Sequence, residues 1–375
     1  MVRILAVLAL AVYVLALLGA GIAQQRRTCT SAIESRAARR SSRFAYPRPV
    51  VGFNINLHHT QYLPKYVQAI DEITGLGCTH LQIVTPMFQT SGASDSVAIS
   101  VGPGRGPTRA QLVTLFAHAK KRGLATSLVP IVLLTKPRAS EWRGKIKPGD
   151  WDAWWSAYQR AIDYFVDIAI ETDVGLFSVG SELISTEKQR DRWNALIARV
   201  RDKYSGLLMY SGNWDHYHVP VFWDQLDVIG ASGYWNLTRG ATSDAPASDV
   251  LLRSNWRQVH GQVMKFARDK GKPFLLTEVG YPSLPWGLKH AWNYVNKEGV
   301  DADAHTQARG YDAFFDVWSG DLRSHDGATD RPFFGVFFYA WDPYNQGGPR
   351  DTGYGVRGKP ALDVVRDRLN ALGVQ

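Results

Sequence analysis

GLFSVGSE, residues 175–182, and PFLLTEVGYPS, residues 273–283, are the stretches from which the rest of the chain can be read. Each is a short apolar run that reaches a carboxylate, Glu182 in one and Glu278 in the other, beside small residues. A run of Leu176, Phe177, Ser178, Val179, Gly180 and Ser181 that stops at an acid fits a buried parallel strand meeting a functional rim better than a solvated loop. An unpaired buried carboxylate is costly or must take up a proton, so two in the same setting need a reason.

Outward from these two runs, strand and helix patterns alternate from Pro49 to the end. Strands are predicted at Val50–Leu57, Thr79–Val84, Ala125–Leu134, Gly175–Ser181, Leu207–Trp214, Asp227–Tyr234, Pro273–Val279 and Phe333–Trp341, with Pro130 suggesting a bulge in the third. Helices are predicted at Tyr62–Leu76, from the Thr108 cap to Lys121, and at Trp151–Ile170, Glu187–Tyr204, Val250–Lys270, Ala304–Trp318 and Pro360–Leu372, with only a short helical piece near Val221–Leu226. Eight such units imply an α/β fold, a closed (β/α)8 TIM barrel filling residues 49–375 as one catalytic domain. A doubly wound open sheet is the alternative, but no glycine-rich dinucleotide loop follows the first strand, and the glycines of 102–107 lack the Lys-Ser/Thr ending of a phosphate loop.

A net charge of +9 invites a nucleic-acid or membrane reading until it is located. Residues 24–48 form a basic stem holding seven arginines against Glu34; setting that surplus and Arg3 aside brings the balance to +2 for everything from Pro49 onward. The body is nearly neutral, and no nucleic-acid partner is expected. Residues 1–23 are almost wholly apolar after Arg3 and end in small residues, the pattern of a secretory signal peptide. The expected location is therefore secreted or periplasmic. At about 20 residues the run is also long enough for an N-terminal anchor on the outer face of the cytoplasmic membrane, with membrane association through residues 1–23 and the stem. The two cysteines, Cys29 and Cys78, could pair in an oxidising compartment or leave Cys78 a buried thiol, and they cannot build a zinc site. No metal or other cofactor is expected.

In a (β/α)8 barrel the C-terminal ends of the strands converge on one rim. Those ends carry Asn56 and His58, Glu182, Asn213 and Trp214, Tyr234 and Trp235, Glu278 and Tyr281, and Trp341. Two acids ringed by aromatics and amides suit a sugar, whose C–H faces stack on indoles while its hydroxyls need polar partners. Cleaving a glycosidic bond takes one carboxylic acid to protonate the leaving oxygen and one carboxylate to attack or to activate water. The substrate expected is a polysaccharide or oligosaccharide.

The chain resembles the retaining glycoside hydrolases of clan A, most closely the mannan-hydrolysing family 113. FSVGSEL around Glu182, LLMYSGNWDHY around Trp214, FWDQLDVIGASGYW ending at Trp235, PFLLTEVGYPS around Glu278 and GGPRDTGYGVRGKPA after the eighth strand carry that resemblance. It implies endo-acting β-1,4-mannanase activity without a cofactor, with Glu182 as acid/base, Glu278 as nucleophile and Tyr234 orienting the nucleophile. One position departs from the clan: Ser181 stands where an asparagine usually binds the sugar 2-hydroxyl. The alternatives are a glycosidase or transglycosylase for another β-glycan, or a catalytically inactive carbohydrate-binding barrel.

Overall fold

A computed structural model describes residues 49–58, 60–242, 246–295, 298–323 and 332–373. Eight parallel strands close into one barrel in sequence order: β1 Val50–Asn56, β2 His80–Gln89, β3 Ala125–Leu134, β4 Leu176–Ser181, β5 Leu207–Gly212, β6 Val228–Ser232, β7 Phe274–Val279 and β8 Phe333–Phe338. Around them lie α1 Leu63–Gly75, α2 Arg109–Lys121, α3 Trp151–Glu171, α4 Arg190–Lys203, α5 Asp249–Lys270, α6 Ala304–Leu322 and α7 Pro360–Leu372. The fold is the predicted (β/α)8 TIM barrel. Between β5 and β6 the crossover is made by a single 3₁₀ turn, Trp223–Gln225. Thr108 caps α2 through a reciprocal pair with Gln111, satisfying two backbone donors that a helix start leaves open.

Alternation along the strands separates two packing layers. Val51, Phe53, Leu81, Leu128, Phe177, Leu208, Ile229 and Leu276 join the large core shared with the helices, whereas Val50, Val129, Leu176, Met209, Val228, Leu275 and Phe337 form a second apolar cluster. A buried polar network links strands across the barrel: Gln82 Nε2 donates to Asn54 Oδ1 and to the Thr277 carbonyl, Ser127 Oγ donates to Gln82 Oε1, and Ser211 and Thr277 share a hydroxyl bond at 2.6 Å. These groups satisfy one another where water is excluded, which fixes the strands beneath the rim.

Several boundaries differ from those predicted. β2 runs on to Gln89 because it pairs with β3 over ten residues, and that register passes through Pro130 without the expected bulge. β3 pairs with β4 only at Ser127 and Leu128, so the proline lies beyond the shared ladder on that side and interrupts nothing there. The irregularities fall instead on the acid-bearing strands: the β4–β5 register shifts between Ser178 and Ser181, and the β6–β7 register skips Thr277, so that Ala231 pairs with Leu276 and Ser232 with Glu278.

Cys78 is a buried free thiol whose pKa burial pushes up to about 12. Membrane association needs correction: among the described residues no helix is long and apolar enough to cross a membrane. Residues 1–48, to which the anchor and the stem were assigned, and Cys29 with them, lie outside the described residues.

Candidate active site

The two strand-end acids meet through β6. Ser232, its last residue, donates from Oγ to Glu182 Oε1 at 2.8 Å, and Tyr234, two residues on, donates from its hydroxyl to Glu278 Oε2 at 2.6 Å. Residues two apart on an extended chain lie about 7 Å from one another on the same side, so one short segment aims both carboxyls into one cleft. Bulges make this possible. A strict alternation would turn Glu278 away from the interior that Thr277 occupies; skipping Thr277 in the ladder brings both inward.

Glu182 sits just past β4 with φ +52°, the left-handed region that a non-glycine residue enters only under constraint. Its N–H donates to the Ser211 carbonyl, and the next N–H, that of Leu183, donates to the Tyr210 hydroxyl. Tyr210 in turn donates to Glu187 Oε1 at 2.9 Å, and Glu187 is wholly buried, its pKa raised to about 7 chiefly by that burial. On its other oxygen Glu182 meets Arg143 Nη2 at 2.5 Å, with only 8% of the glutamate and 21% of the arginine side chain exposed. Arg143 comes from the 3₁₀ turn Arg143–Lys145 between β3 and α3. Burial opposes its charge, but Glu182 and Glu278 outweigh burial and raise its pKa.

Glu278 is 8% exposed. Burial and the neighbouring Glu182 carboxylate push its pKa up to about 7, while the Tyr234 hydrogen bond and Arg143 pull it down. The Tyr234 hydroxyl is held well above its ordinary range by burial and by Glu278, so it remains a donor. Beside Tyr234 stand Tyr339 and Tyr354, with ring centroids at 6.2 and 6.1 Å, and both line a cavity of ≈ 330 Å³ with Asn56, His58, Tyr294 and Asp342. Among the described residues neither lysine nor arginine lines it.

The remaining expected contacts divide. Asn56 lines the cavity and donates to the Tyr339 hydroxyl at 2.7 Å; His58 and Trp341 line it too. Trp341 is only 3% exposed, its indole N–H bonded to Glu72 and its ring covered by Arg357, so an edge rather than a broad face is available. Trp214 and Trp235 are half-buried neighbours at 6.4 Å, and Asn213 is turned onto the Trp214 N–H. Ser181 is buried at 1% exposure, with no partner for Oγ among the described residues. Tyr281 requires correction: it is fully buried, accepts from Trp256 Nε1 and packs on Tyr311, so it presents nothing to a substrate.

Sequence reading missed Ser232, Arg143 and Glu187. Ser232 lies within the quoted stretch ASGYW and was findable from it, being two residues before Tyr234. Arg143 is one of five cations in residues 136–147, and no spacing singles it out. No group of three metal-ligating side chains occurs among the described residues.

Paired acids at the C-terminal rim of a (β/α)8 barrel, beside an aromatic and amide cavity, are the working parts of a glycoside hydrolase. The model of glycoside hydrolase family 113 matches residues 52–328, and the chain belongs to that family. Among solved structures, the family 113 β-mannanase AaManA from Alicyclobacillus acidocaldarius, in complex with ManMIm, is 23% identical; the match covers 87% of this chain and 98% of that one at a TM-score of 0.72. A second family 113 β-1,4-mannanase is 24% identical, covering 86% and 99% at 0.71. The β-glucuronidase of Faecalibacterium prausnitzii shares the fold at 13% identity and 0.56, covering 86% of this chain and 49% of its own. No curated protein matches the chain.

Proposed function

We propose that the enzyme hydrolyses β-1,4-linked mannan or a closely related β-mannoside-containing polysaccharide, with Glu278 as nucleophile, Glu182 as acid/base and Tyr234 orienting the nucleophile. The observation that carries this reading is the β6 bridge, in which Ser232 holds one carboxyl and Tyr234 the other. The roles are assigned by what surrounds each acid. Glu278 is bonded to Tyr234, whose ring neighbours Tyr339 and Tyr354 line the cavity, and this side suits the sugar that keeps the anomeric carbon; Glu182, bonded to Arg143 and to the Ser232 that also meets the Trp214 N–H, is assigned to the departing sugar.

In the first step Glu278 attacks the anomeric carbon while Glu182 gives its proton to the glycosidic oxygen, and the bond between them breaks to leave a glycosyl ester. In the second, Glu182 takes a proton from water, the water oxygen bonds to the anomeric carbon, and Glu278 departs as a carboxylate. Two features favour mannan: the family, and the β-mannanase activity of the family 113 structures it resembles. The cavity, with Asp342 and, among the described residues, neither lysine nor arginine in its lining, suits a neutral sugar better than a uronate.

Chromatography of the products from mannan, glucomannan and cellulose tests the substrate. Oligosaccharides released fastest from mannan are expected; faster release from cellulose would contradict the assignment. The leader-like residues 1–23 support release of the mature chain outside the cytoplasm, and N-terminal sequencing of the exported protein should begin near Gln24.

A further inference from the structure

Glu182 stands where β4 leaves its ladder. Ser181 still pairs with Ser211, and the Glu182 N–H still donates to the Ser211 carbonyl at 2.8 Å, but at Glu182 the backbone turns left-handed, φ +52°. The next donor, the Leu183 N–H, meets no main-chain acceptor among the described residues, and Leu183 is 1% exposed, so water does not serve it either. A buried N–H without a partner is costly, and a chain left with one would gain by relaxing out of this turn. The Tyr210 hydroxyl fills the gap, accepting from Leu183 at 2.8 Å. Tyr210 is wholly buried, its ring 5.3 Å from those of Trp193 and Phe222 and 5.9 Å from that of Trp223, so it is not free to swing away. Gly180 belongs to the same arrangement, for a Cβ there would come within 3.1 Å of the Tyr210 ring and closer still to Tyr158 and Trp193.

The phenol has a single hydrogen, and Glu187 Oε1 takes it at 2.9 Å, which turns a lone pair toward Leu183. Burial, and after it Glu187, hold the Tyr210 pKa well above its ordinary range, so that hydrogen stays in place. Glu187 is itself pinned, its N–H donating to the Ile184 carbonyl and its carbonyl accepting from the Val221 N–H, while Oε2 is buried with no partner among the described residues. Oε1 accepts whether or not Oε2 carries a proton, so the hold is the same in either state. We propose that Tyr210 is a positioning residue for the proton donor: its hydroxyl, oriented by Glu187, replaces the strand carbonyl that the Leu183 N–H lacks and so keeps Glu182 in the left-handed conformation that presents its carboxyl to the glycosidic oxygen. This role rests on the assignment of Glu182 as the proton donor. Tyr210 and Glu187 act through the backbone of Glu182, whereas Ser232 and Arg143 hold the carboxyl itself.

The test compares the parent, Tyr210→Phe, Glu187→Gln and Glu187→Leu on a β-mannan oligosaccharide and on an aryl β-mannoside whose leaving group needs no proton, reading kcat/KM, which reports the glycosylation step. Tyr210→Phe keeps the ring and its packing but frees the Leu183 N–H, so kcat/KM on the oligosaccharide should fall roughly 10–100-fold, as for a reacting group misplaced by about an ångström, with little of that loss on the aryl mannoside. On the aryl mannoside kcat and KM should fall together, because the second step still needs Glu182 as base. Glu187→Gln keeps the acceptor and should stay near the parent on both substrates; Glu187→Leu removes it and should show the Tyr210→Phe pattern in weaker form. A merely structural tyrosine gives equal losses on the two substrates, and that result, or parental kcat/KM on both, overturns the proposal. If Tyr210→Phe does not fold, Glu187→Leu decides by the same comparison. A selective loss in Glu187→Gln would overturn the acceptor role of Glu187, since it would trace the effect to charge. Equal losses in Glu182→Gln would instead bring down the acid/base assignment itself, separating the two failures.

Discussion

β4 and β7 end on the same residue type and treat it differently. Glu182 is reached through a left-handed residue, gripped by a serine and an arginine, and backed by the Tyr210–Glu187 pair. Glu278 keeps to its strand, is brought inward by a bulge at Thr277, and has one hydroxyl donor, Tyr234. One acid is held by a cation and the other by a neutral phenol. Identical side chains can thus be given separate tasks by their surroundings, since charge, burial and hydrogen bonding set what each carboxyl does.

Substituting each acid in turn should break this comparison most visibly. Glu278→Gln removes the nucleophile and should abolish turnover of every substrate, a loss of roughly 10⁶-fold on the scale seen when a hydrolase nucleophile is removed. Glu182→Gln should lose about 10²–10⁴-fold on a natural glycan, with most of that loss absent in the glycosylation step on an activated aryl mannoside. Equal losses on the two substrates would show that Glu182 is not the proton donor. Single-turnover kinetics on both substrates provide the measurement.

Tyr234→Phe sharpens the comparison on the other side. A hydrogen bond to a charged group is worth about 1.5–3 kcal/mol, so a loss of roughly 10–100-fold in kcat/KM is expected. Because the phenol lowers the Glu278 pKa, its removal should also move the acidic limb to higher pH. Unchanged activity and limb would remove Tyr234 from its assigned role.

The smallest effect concerns stability. The Glu278 pKa is raised from 4.5 to about 7 on folding, so the folded chain binds more protons than the unfolded one in that window. Stability is therefore lost as pH rises through it. Glu278→Gln should match the parent near pH 4 and become more stable by about 2–3 kcal/mol above pH 7. Urea titrations at the two pH values measure the difference; a gain that is the same at both would mean that the buried carboxyl is not its source.

The barrel and both acids were legible because their signals are local: apolar runs, caps such as Thr108 with Gln111, and an acid where each run stops. The bulges at β4 and β7 were not, because register is a property of two strands and neither sequence marks it. Tyr281 was misplaced for a related reason. Three residues beyond Glu278 the chain has turned, and the Trp256 indole, reaching from α5, supplies the hydroxyl with an internal partner. Arg143 stayed hidden among neighbouring lysines and arginines whose side chains differ only in where a long loop carries them.

The covalent intermediate tests the division of labour most directly. Incubation with a 2-deoxy-2-fluoro-β-mannoside bearing a good leaving group slows the second step and traps the glycosyl-enzyme, which peptide mass spectrometry can locate. The label is expected on Glu278, within PFLLTEVGYPS. A label on Glu182, or turnover with inversion at the anomeric carbon and no trapped ester, would contradict the assignment.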